Sequence, residues 1–191
     1  MQMNKLIIKT ALITICTLVI ASGAVFSLWL VCSPQTMASS CEKTGNYALA
    51  VTCADLRYKY TKNVYDLARC ADDAILSGRD NLISDRGEKL LSHEKFEEVC
   101  KTLDASSADN GLGFGYKAYI CGHVSASQYR LGNTDKAVQT ALYGGEKAFP
   151  KLVIEICSAR DKTSAQAVLA ALEKLEQTDE TSALSELLKK I

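Results

Sequence analysis

The longest uninterrupted pattern in the chain is apolar: residues 10–32 carry no charged side chain and are rich in Leu, Ile, Val and Ala. At about 1.5 Å of rise per residue, a helix of this length crosses a hydrocarbon layer of ~30 Å. The apolar part of a cleavable signal is shorter, about 7–15 residues, so the pattern predicts a retained transmembrane helix, a signal-anchor. A cut after Ala24 or near Ala38 would instead give a secreted protein, and this alternative stays open.

The charges that flank this segment predict its orientation. Lys5 and Lys9 precede it, whereas residues 33–41 carry no charge. Because cytoplasmic flanks are enriched in Lys and Arg, residues 1–9 are predicted to be cytoplasmic and the bulk of the chain to be extracytoplasmic, in a periplasm or at a cell surface. We interpret residues 33–44 as a linker and residues 45–191 as an extracytoplasmic domain.

The domain shows helical periodicity. No proline occurs between Pro34 and Pro150, and few stretches alternate between apolar and polar residues. Apolar or small residues recur at helical spacing in six stretches: Val64, Leu67, Ala68, Ala71, Ile75; Phe96, Val99, Cys100, Leu103; Ile120, Val124, Ser127, Leu131; Ala137, Val138, Ala141, Leu142; Val168, Leu172, Leu175; and Leu184, Leu187, Leu188, Ile191. The fold class is therefore predicted as all-α, an N-terminal transmembrane helix followed by an α-helical hairpin array or bundle.

Two local patterns refine this prediction. Residues 152–156 contain enough β-branched side chains to form a strand. They follow Pro150, which is favoured in the first turn of a helix, and they are predicted to be helical. Thr163 and Gln166 have the spacing of a capping box, which predicts a helix start at that point.

The chain also contains an internal similarity. Residues 45–54 and 132–141 share Gly, Asn, Ala, Val and Ala in register. With Gly132, Ala137, Ala141, Gly144 and Pro150, the region 116–150 resembles one tetratricopeptide repeat, in which a turn glycine precedes a second helix lined with small residues. This resemblance implies a concave surface that binds protein or peptide and no catalytic residues. A generic α-helical bundle is the alternative.

Composition narrows the possible functions. Lysine and arginine total 22 and aspartate and glutamate total 22, so the formal net charge is zero. Without a basic stripe the chain lacks the electrostatic footprint of a nucleic-acid-binding protein. The predicted partners are the membrane, through residues 10–32, and a protein or peptide.

The cysteines agree with an exported domain. Two of the eight cysteines, Cys16 and Cys32, fall in the apolar segment. The other six are candidates for disulfides, because disulfides persist in exported proteins. The candidates are Cys41, Cys53, Cys70, Cys100, Cys121 and Cys157. Spacing alone does not fix their pairing. Short turns between successive helices favour Cys53 with Cys70 and Cys100 with Cys121, which leaves Cys41 with Cys157. Buried free thiols are the alternative.

Candidate chemistry is sparse. No C-x-x-C or paired Cys/His spacing occurs, so neither a zinc site nor a dithiol redox motif is predicted. The glycines of residues 111–115 do not follow a strand or match a dinucleotide fingerprint, and they are interpreted as a loop. His93 and His123 show no nucleophile and acid nearby in sequence. We therefore predict no catalytic residue, cofactor or metal, although an envelope enzyme of unknown reaction stays as an alternative.

The acidic pairs and the tyrosines are the remaining side chains that could form a site. The acidic pairs Asp72-Asp73 and Glu97-Glu98 point about 100° apart on a helix and are interpreted as solvated faces. Tyrosine combines a large contact area with a polar tip, which suits a binding groove as well as packing between helices. The tyrosines considered are Tyr58, Tyr60, Tyr65, Tyr116, Tyr119, Tyr129 and Tyr143.

Overall fold

The computed structural model describes residues 2–107, 115–176 and 178–191. These residues form eleven α-helices and a 3-10 turn, and no strand is present among them. The helices are α1 (Gln2–Cys32), α2 (Pro34–Lys43), α3 (Tyr47–Thr61), α4 (Val64–Ser77), α5 (Asp80–Leu91), α6 (Phe96–Ser107), α7 (Tyr116–Arg130), α8 (Thr134–Gly144), α9 (Phe149–Ala159), α10 (Lys162–Leu172) and α11 (Asp179–Leu188), with the 3-10 turn at Glu146–Ala148. The prediction of an all-α chain with a long apolar N-terminal helix and a helical array is confirmed.

Helix α1 differs from the others in its surroundings. Its segment Lys9–Trp29 has a mean hydropathy of 2.3 and is 0% buried. Large apolar side chains such as Leu12 and Ile20 stand 63% and 72% exposed. Among the described residues this is the one helix long and apolar enough to cross a membrane.

The segment predicted as a linker is helical. Pro34 lies in the first turn of α2, and Met37, Ala38 and Cys41 are buried against α3. Three buried positions at i, i+1 and i+4 are enough to form one apolar face on a ten-residue helix. The packed part of the body therefore begins at α2, eleven residues before the predicted domain boundary at residue 45.

The body has three apolar cores. The largest joins α3 to α7, the second joins α8 to α11, and a small one lies between α2 and α3. Short turns connect α2 to α3, α3 to α4 and α7 to α8, and successive helices joined this way run antiparallel. The body is thus an array of helical hairpins.

Local predictions in the second half were partly correct. The stretch 152–156 lies within α9 and is helical, with Pro150 in the first turn, as predicted. The predicted capping box of Thr163 and Gln166 is wrong. Asp161 is the N-cap of α10, because its carboxylate accepts hydrogen bonds from the backbone N–H of Ser164 at 3.1 Å and from the Ser164 hydroxyl at 2.6 Å.

Helices α5 and α7 approach closely at a glycine. A Cβ atom on Gly87 would lie 2.1 Å from Cγ2 of Val124, a fully buried β-branched side chain with little freedom to rotate. We expect Gly87→Ala to destabilise the fold by about 1–2 kcal/mol, because overpacking outweighs the gain in helix propensity. The measurement is urea denaturation of both single variants and of Gly87→Ala/Val124→Ala.

The double variant removes the clashing methyl group, so it should be less destabilised than the two single effects together. In an uncrowded helix the same glycine substitution stabilises by up to about 1 kcal/mol. A stabilising Gly87→Ala would therefore show that α5 and α7 are not packed at this distance.

Candidate functional site

A concavity of the body lies where the C-terminal half of α5 meets the end of α7 and the outer face of α8. Its volume is about 690 Å³, which falls in the range of ~300–1,000 Å³ usual for ligand sites. We call it the α5/α8 groove. It is lined by Asp85, Glu88, Lys89, Leu91, Ser92, Gln128, Lys136, Gln139, Thr140 and Tyr143.

The turn before α8 sets the position of one wall. Gly132 has a φ of +83°, a left-handed conformation that side chains disfavour, and it lets the chain reverse within three residues after α7. At the other end of α8, a Cβ on Gly144 would lie 2.4 Å from Cβ of Cys121. Glycine here lets α8 lie against α7, which brings its exposed face beside α5.

A polar network forms the floor of the groove. The carboxylate of Glu88 accepts hydrogen bonds from the Ser84 hydroxyl at 2.7 Å, from Nε2 of Gln128 at 2.9 Å and from Nζ of Lys136 at 2.5 Å. Burial by itself would raise the pKa of Glu88, but these three donors outweigh it and hold the pKa below its usual value. Glu88 is therefore ionised at neutral pH and fixes the wall residues from α5, α7 and α8 relative to one another.

One acceptor on this floor has no partner. Gln128 is fully buried, and its Oε1 accepts no hydrogen bond from any described residue. A buried amide oxygen without a donor costs about 1–3 kcal/mol. A ligand or water that supplies an N–H or O–H at this point would recover that cost.

Aromatic side chains stand at the rim. Tyr143 is 46% exposed, donates its hydroxyl to Glu97 at 3.0 Å and lies beneath Nζ of Lys117 at 3.9 Å from the ring centroid. On the α5 side, Nζ of Lys89 lies 4.7 Å from the ring centroid of Tyr58. Of the tyrosines considered from sequence, Tyr143 lines the groove, whereas Tyr116 is buried in the main core.

The charges of the lining balance. Asp85 and Glu88 are matched by Lys89 and Lys136, and the remaining lining residues are uncharged. Such a surface does not attract a highly charged ligand by its field. It offers apolar and aromatic contact area together with hydrogen-bonding groups.

The two histidines contact different tyrosines, and neither is among the groove-lining residues. Nδ1 of His93 accepts the backbone N–H of Lys95, and its ring stands edge-on to Tyr58. His123 stacks edge-on with Tyr119 at 4.9 Å, and burial, with Lys151 and Arg130 nearby, lowers its pKa to about 4. His123 is therefore neutral at pH 7.

The acidic pair in α4 was misjudged from sequence. Asp73 is 3% exposed, and burial followed by repulsion from Glu42 raises its pKa to about 7. Burial also raises the pKa of Asp72 to about 7, although the hydroxyl of Tyr116 donates to it at 3.1 Å. These carboxyl groups lie between helices, whereas Glu97 is exposed as predicted, with 56% of its side chain accessible.

The six candidate disulfide cysteines do not all lie in one core, and their thiols are free in the structure. Cys41 and Cys53 share the small α2/α3 core, whereas Cys157 packs against the α8–α11 core. The pairing of Cys41 with Cys157, reached by elimination, is therefore not one that the fold brings together. The prediction that this set forms disulfides stays a prediction.

Metal binding and similarity to known proteins add no further assignment. Within the described ranges, no group of three or more His, Cys, Asp or Glu side chains is arranged to hold a metal ion. The predicted loop of glycines 111–115 falls mostly outside the described residues, which resume at Gly115, the N-cap of α7.

No family model, curated protein or solved structure matches the chain. The fold and the groove therefore define it only as a helical-array protein with an apolar N-terminal helix.

Proposed function

We propose that the chain is a membrane-anchored, extracytoplasmic helical-repeat protein that binds a segment of another protein in the α5/α8 groove. The observation that carries the proposal is the groove itself, whose lining combines hydrogen-bonding side chains with an exposed tyrosine, Tyr143. A peptide backbone hydrogen-bonds the polar lining groups, and apolar side chains of the peptide cover the tyrosine ring.

The hairpin of α7 and α8 supports the repeat interpretation. Its turn glycine, Gly132, has a left-handed φ, and the small residues Ala137 and Ala141 are fully buried, which is compatible with the resemblance to a tetratricopeptide unit. In such arrays neighbouring hairpins create the concave surface. We identify this surface with the α5/α8 groove, whose walls are α5 and α8 and whose lining includes Gln128 near the end of α7.

The exposed apolar surface of α1 supports the anchor. Side chains such as Leu12, Ile20 and Val25 are more than 60% exposed, and a bilayer is the environment that removes them from water. A secreted protein cut near Ala38 would lose Met37 and Ala38, both buried against α3. Of the two cleavage alternatives, only a cut after Ala24 keeps α2 complete.

The binding proposal is tested with a pair of matched variants. Gln139 lies in the groove and Gln166 on α10 lies outside its lining, and both are exposed helical glutamines. The full-length protein in detergent is panned against a displayed library of random peptides, and enriched peptides are measured by fluorescence polarisation. We expect Gln139→Arg to weaken binding at least about tenfold, or ~1.4 kcal/mol, because the longer cation fills the groove.

Gln166→Arg adds the same charge elsewhere and should leave the dissociation constant unchanged. Equal binding by both variants, or a library from which no peptide is enriched, would contradict the groove as a peptide site.

A further inference from the structure

Helices α2 and α3 bring two buried cysteines together. Cys41 is 7% exposed and Cys53 is fully buried, in a small core that also contains Met37, Ala38 and Ala50. Both thiols therefore lie in the contact between α2 and α3, and the nearness of Cys41 contributes to raising the pKa of Cys53. Cysteines on two packed helices can form a sulfur–sulfur bond of about 2.05 Å where their Cα atoms lie about 4.4–6.8 Å apart.

The two faces of α3 explain why this pairing differs from the one favoured by sequence. Ala50 and Cys53, three residues apart, face α2, whereas Val51 and Ala54 face the main core. Cys70 lies in the main core and donates its thiol to the carbonyl of Val51 at 3.4 Å. Cys53 and Cys70 thus lie on different sides of α3.

The other favoured pair does not share a core in this way. Cys100 belongs to the main core, whereas Cys121, although fully buried, is not among its members. Cys41 and Cys53, by contrast, are two of the five buried residues of one small core between α2 and α3.

We propose that Cys41 and Cys53 form a disulfide that ties α2, the helix next to the membrane segment, to α3. The proposal rests on the extracytoplasmic location of the body, part of the proposed function, because disulfides persist in oxidising compartments. With α2 fixed to α3, the body is attached to α1 through a short covalently closed hairpin.

The oxidant is a protein of the thiol–disulfide oxidoreductase class in its disulfide form. The thiolate of one cysteine attacks the oxidant's disulfide, which gives a mixed disulfide and frees one oxidant thiol. The second cysteine, after losing its proton, attacks the mixed disulfide, forms the Cys41–Cys53 bond and frees the second oxidant thiol. Two protons leave the protein thiols and two electrons reduce the oxidant.

This exchange precedes the packing of α2 on α3. In the folded protein burial raises the pKa of Cys53 to about 11, with a further contribution from Cys41, so almost no attacking thiolate exists at pH 7. The same burial shields the finished bond from reductants.

Trypsin separates the two cysteines, which makes the bond directly readable. Cleavage after Lys9, Lys43, Arg57, Arg69 and Arg79 gives peptides 10–43, 44–57 and 70–79, which contain Cys41, Cys53 and Cys70 respectively. The full-length protein is taken from its own membranes, its free thiols are trapped with N-ethylmaleimide at lysis, and the digest is analysed by mass spectrometry without reduction. We expect peptide 44–57 to be linked to peptide 10–43 and to be released by reductant.

Peptide 10–43 also contains Cys16 and Cys32, so two variants assign the linkage. Cys32→Ser should keep it and Cys41→Ser should abolish it. Peptide 44–57 recovered alone with Cys53 alkylated, or linked to peptide 70–79, would overturn the proposal. Alkaline extraction of the same membranes tests the membrane anchor independently. If the protein stays in the membranes while Cys41 and Cys53 are free thiols, the disulfide proposal is refuted and the anchor proposal is not.

Discussion

Replacing Leu18 and Val19 with arginine is expected to move the protein from the membrane fraction to the soluble or aggregated fraction. Both side chains lie near the middle of the segment Lys9–Trp29 and are more than 60% exposed. Each arginine at the centre of a membrane helix costs about 2.5–3.5 kcal/mol on insertion scales, or about 5–7 kcal/mol for two.

That cost is as large as the driving force for insertion. Residues 10–32 contain eleven Leu, Ile, Val and Phe residues, each worth about 0.3–0.6 kcal/mol, so the favourable total is about 3–7 kcal/mol. Two of these residues are themselves lost in the variant. The measurement is alkaline carbonate extraction of cell membranes, followed by immunoblotting of pellet and supernatant.

Thr163→Arg/Gln166→Arg is the matched control. It adds the same two charges at exposed positions of α10 and leaves the charges that flank α1 unchanged. This control should stay in the membrane pellet. If the Leu18→Arg/Val19→Arg protein also stays there after extraction, α1 does not anchor the chain.

The parts of the fold that were predictable from sequence are those in which apolar residues mark the buried face. Helix α4 was found from a stripe that includes Leu67 and Ala71, and both residues are buried. Helix α2 was missed because its buried face consists of only Met37, Ala38 and Cys41, which is too short a pattern to distinguish from a linker.

Helix α5 was missed for a different reason. Gly87 lies where α5 packs on Val124 of α7, and it adds nothing to a hydrophobic stripe although a side chain there would not fit. Because α5 supplies one wall of the groove, the candidate site was missed with it. The spacing Ile83, Gly87, Leu90 would have shown the buried face if glycine had been counted as a contact residue.

The pairing of distant polar residues also lay beyond sequence reasoning. Asp73 was interpreted as solvated because neighbouring carboxylates point about 100° apart on a helix, but tertiary packing places it among Glu42, Arg69 and the core. The Glu88 network likewise joins residues 40 and 48 positions apart. No local pattern encodes such contacts, since they depend on how whole helices pack.

Replacing Asp55 with asparagine is expected to lower the free energy of unfolding by about 2–3 kcal/mol at pH 7. Asp55 is 5% exposed on α3 and binds Arg86 at 3.0 Å and Lys89 at 3.1 Å, both on α5. Removing one partner from a buried ion pair costs about 3–5 kcal/mol, and we take less because the two cations are partly exposed and regain water. Urea denaturation of both proteins measures the difference.

The effect should depend on pH in a defined direction. Burial pushes the pKa of Asp55 upward, but Lys89, Arg86 and Lys59 outweigh it, so the pKa lies below the ordinary value of 3.8. A carboxyl group with a depressed pKa stabilises the fold above its unfolded-state pKa and loses that contribution as the pH falls through its folded-state pKa. The difference between Asp55→Asn and the unaltered protein should therefore be constant from pH 5 to pH 7 and shrink below about pH 4.

Asp85→Asn provides the control, because Asp85 approaches the same Arg86 at 3.3 Å while 65% of its side chain is exposed. An exposed pair of this kind contributes less than about 0.5–1 kcal/mol, so this variant should unfold almost as the unaltered protein does. Equal effects of the two substitutions would show that Asp55 is not the buried tie between α3 and α5. Since Lys89 lines the groove as well as binding Asp55, this buried ion pair joins the contact between α3 and α5 to one wall of the proposed peptide site.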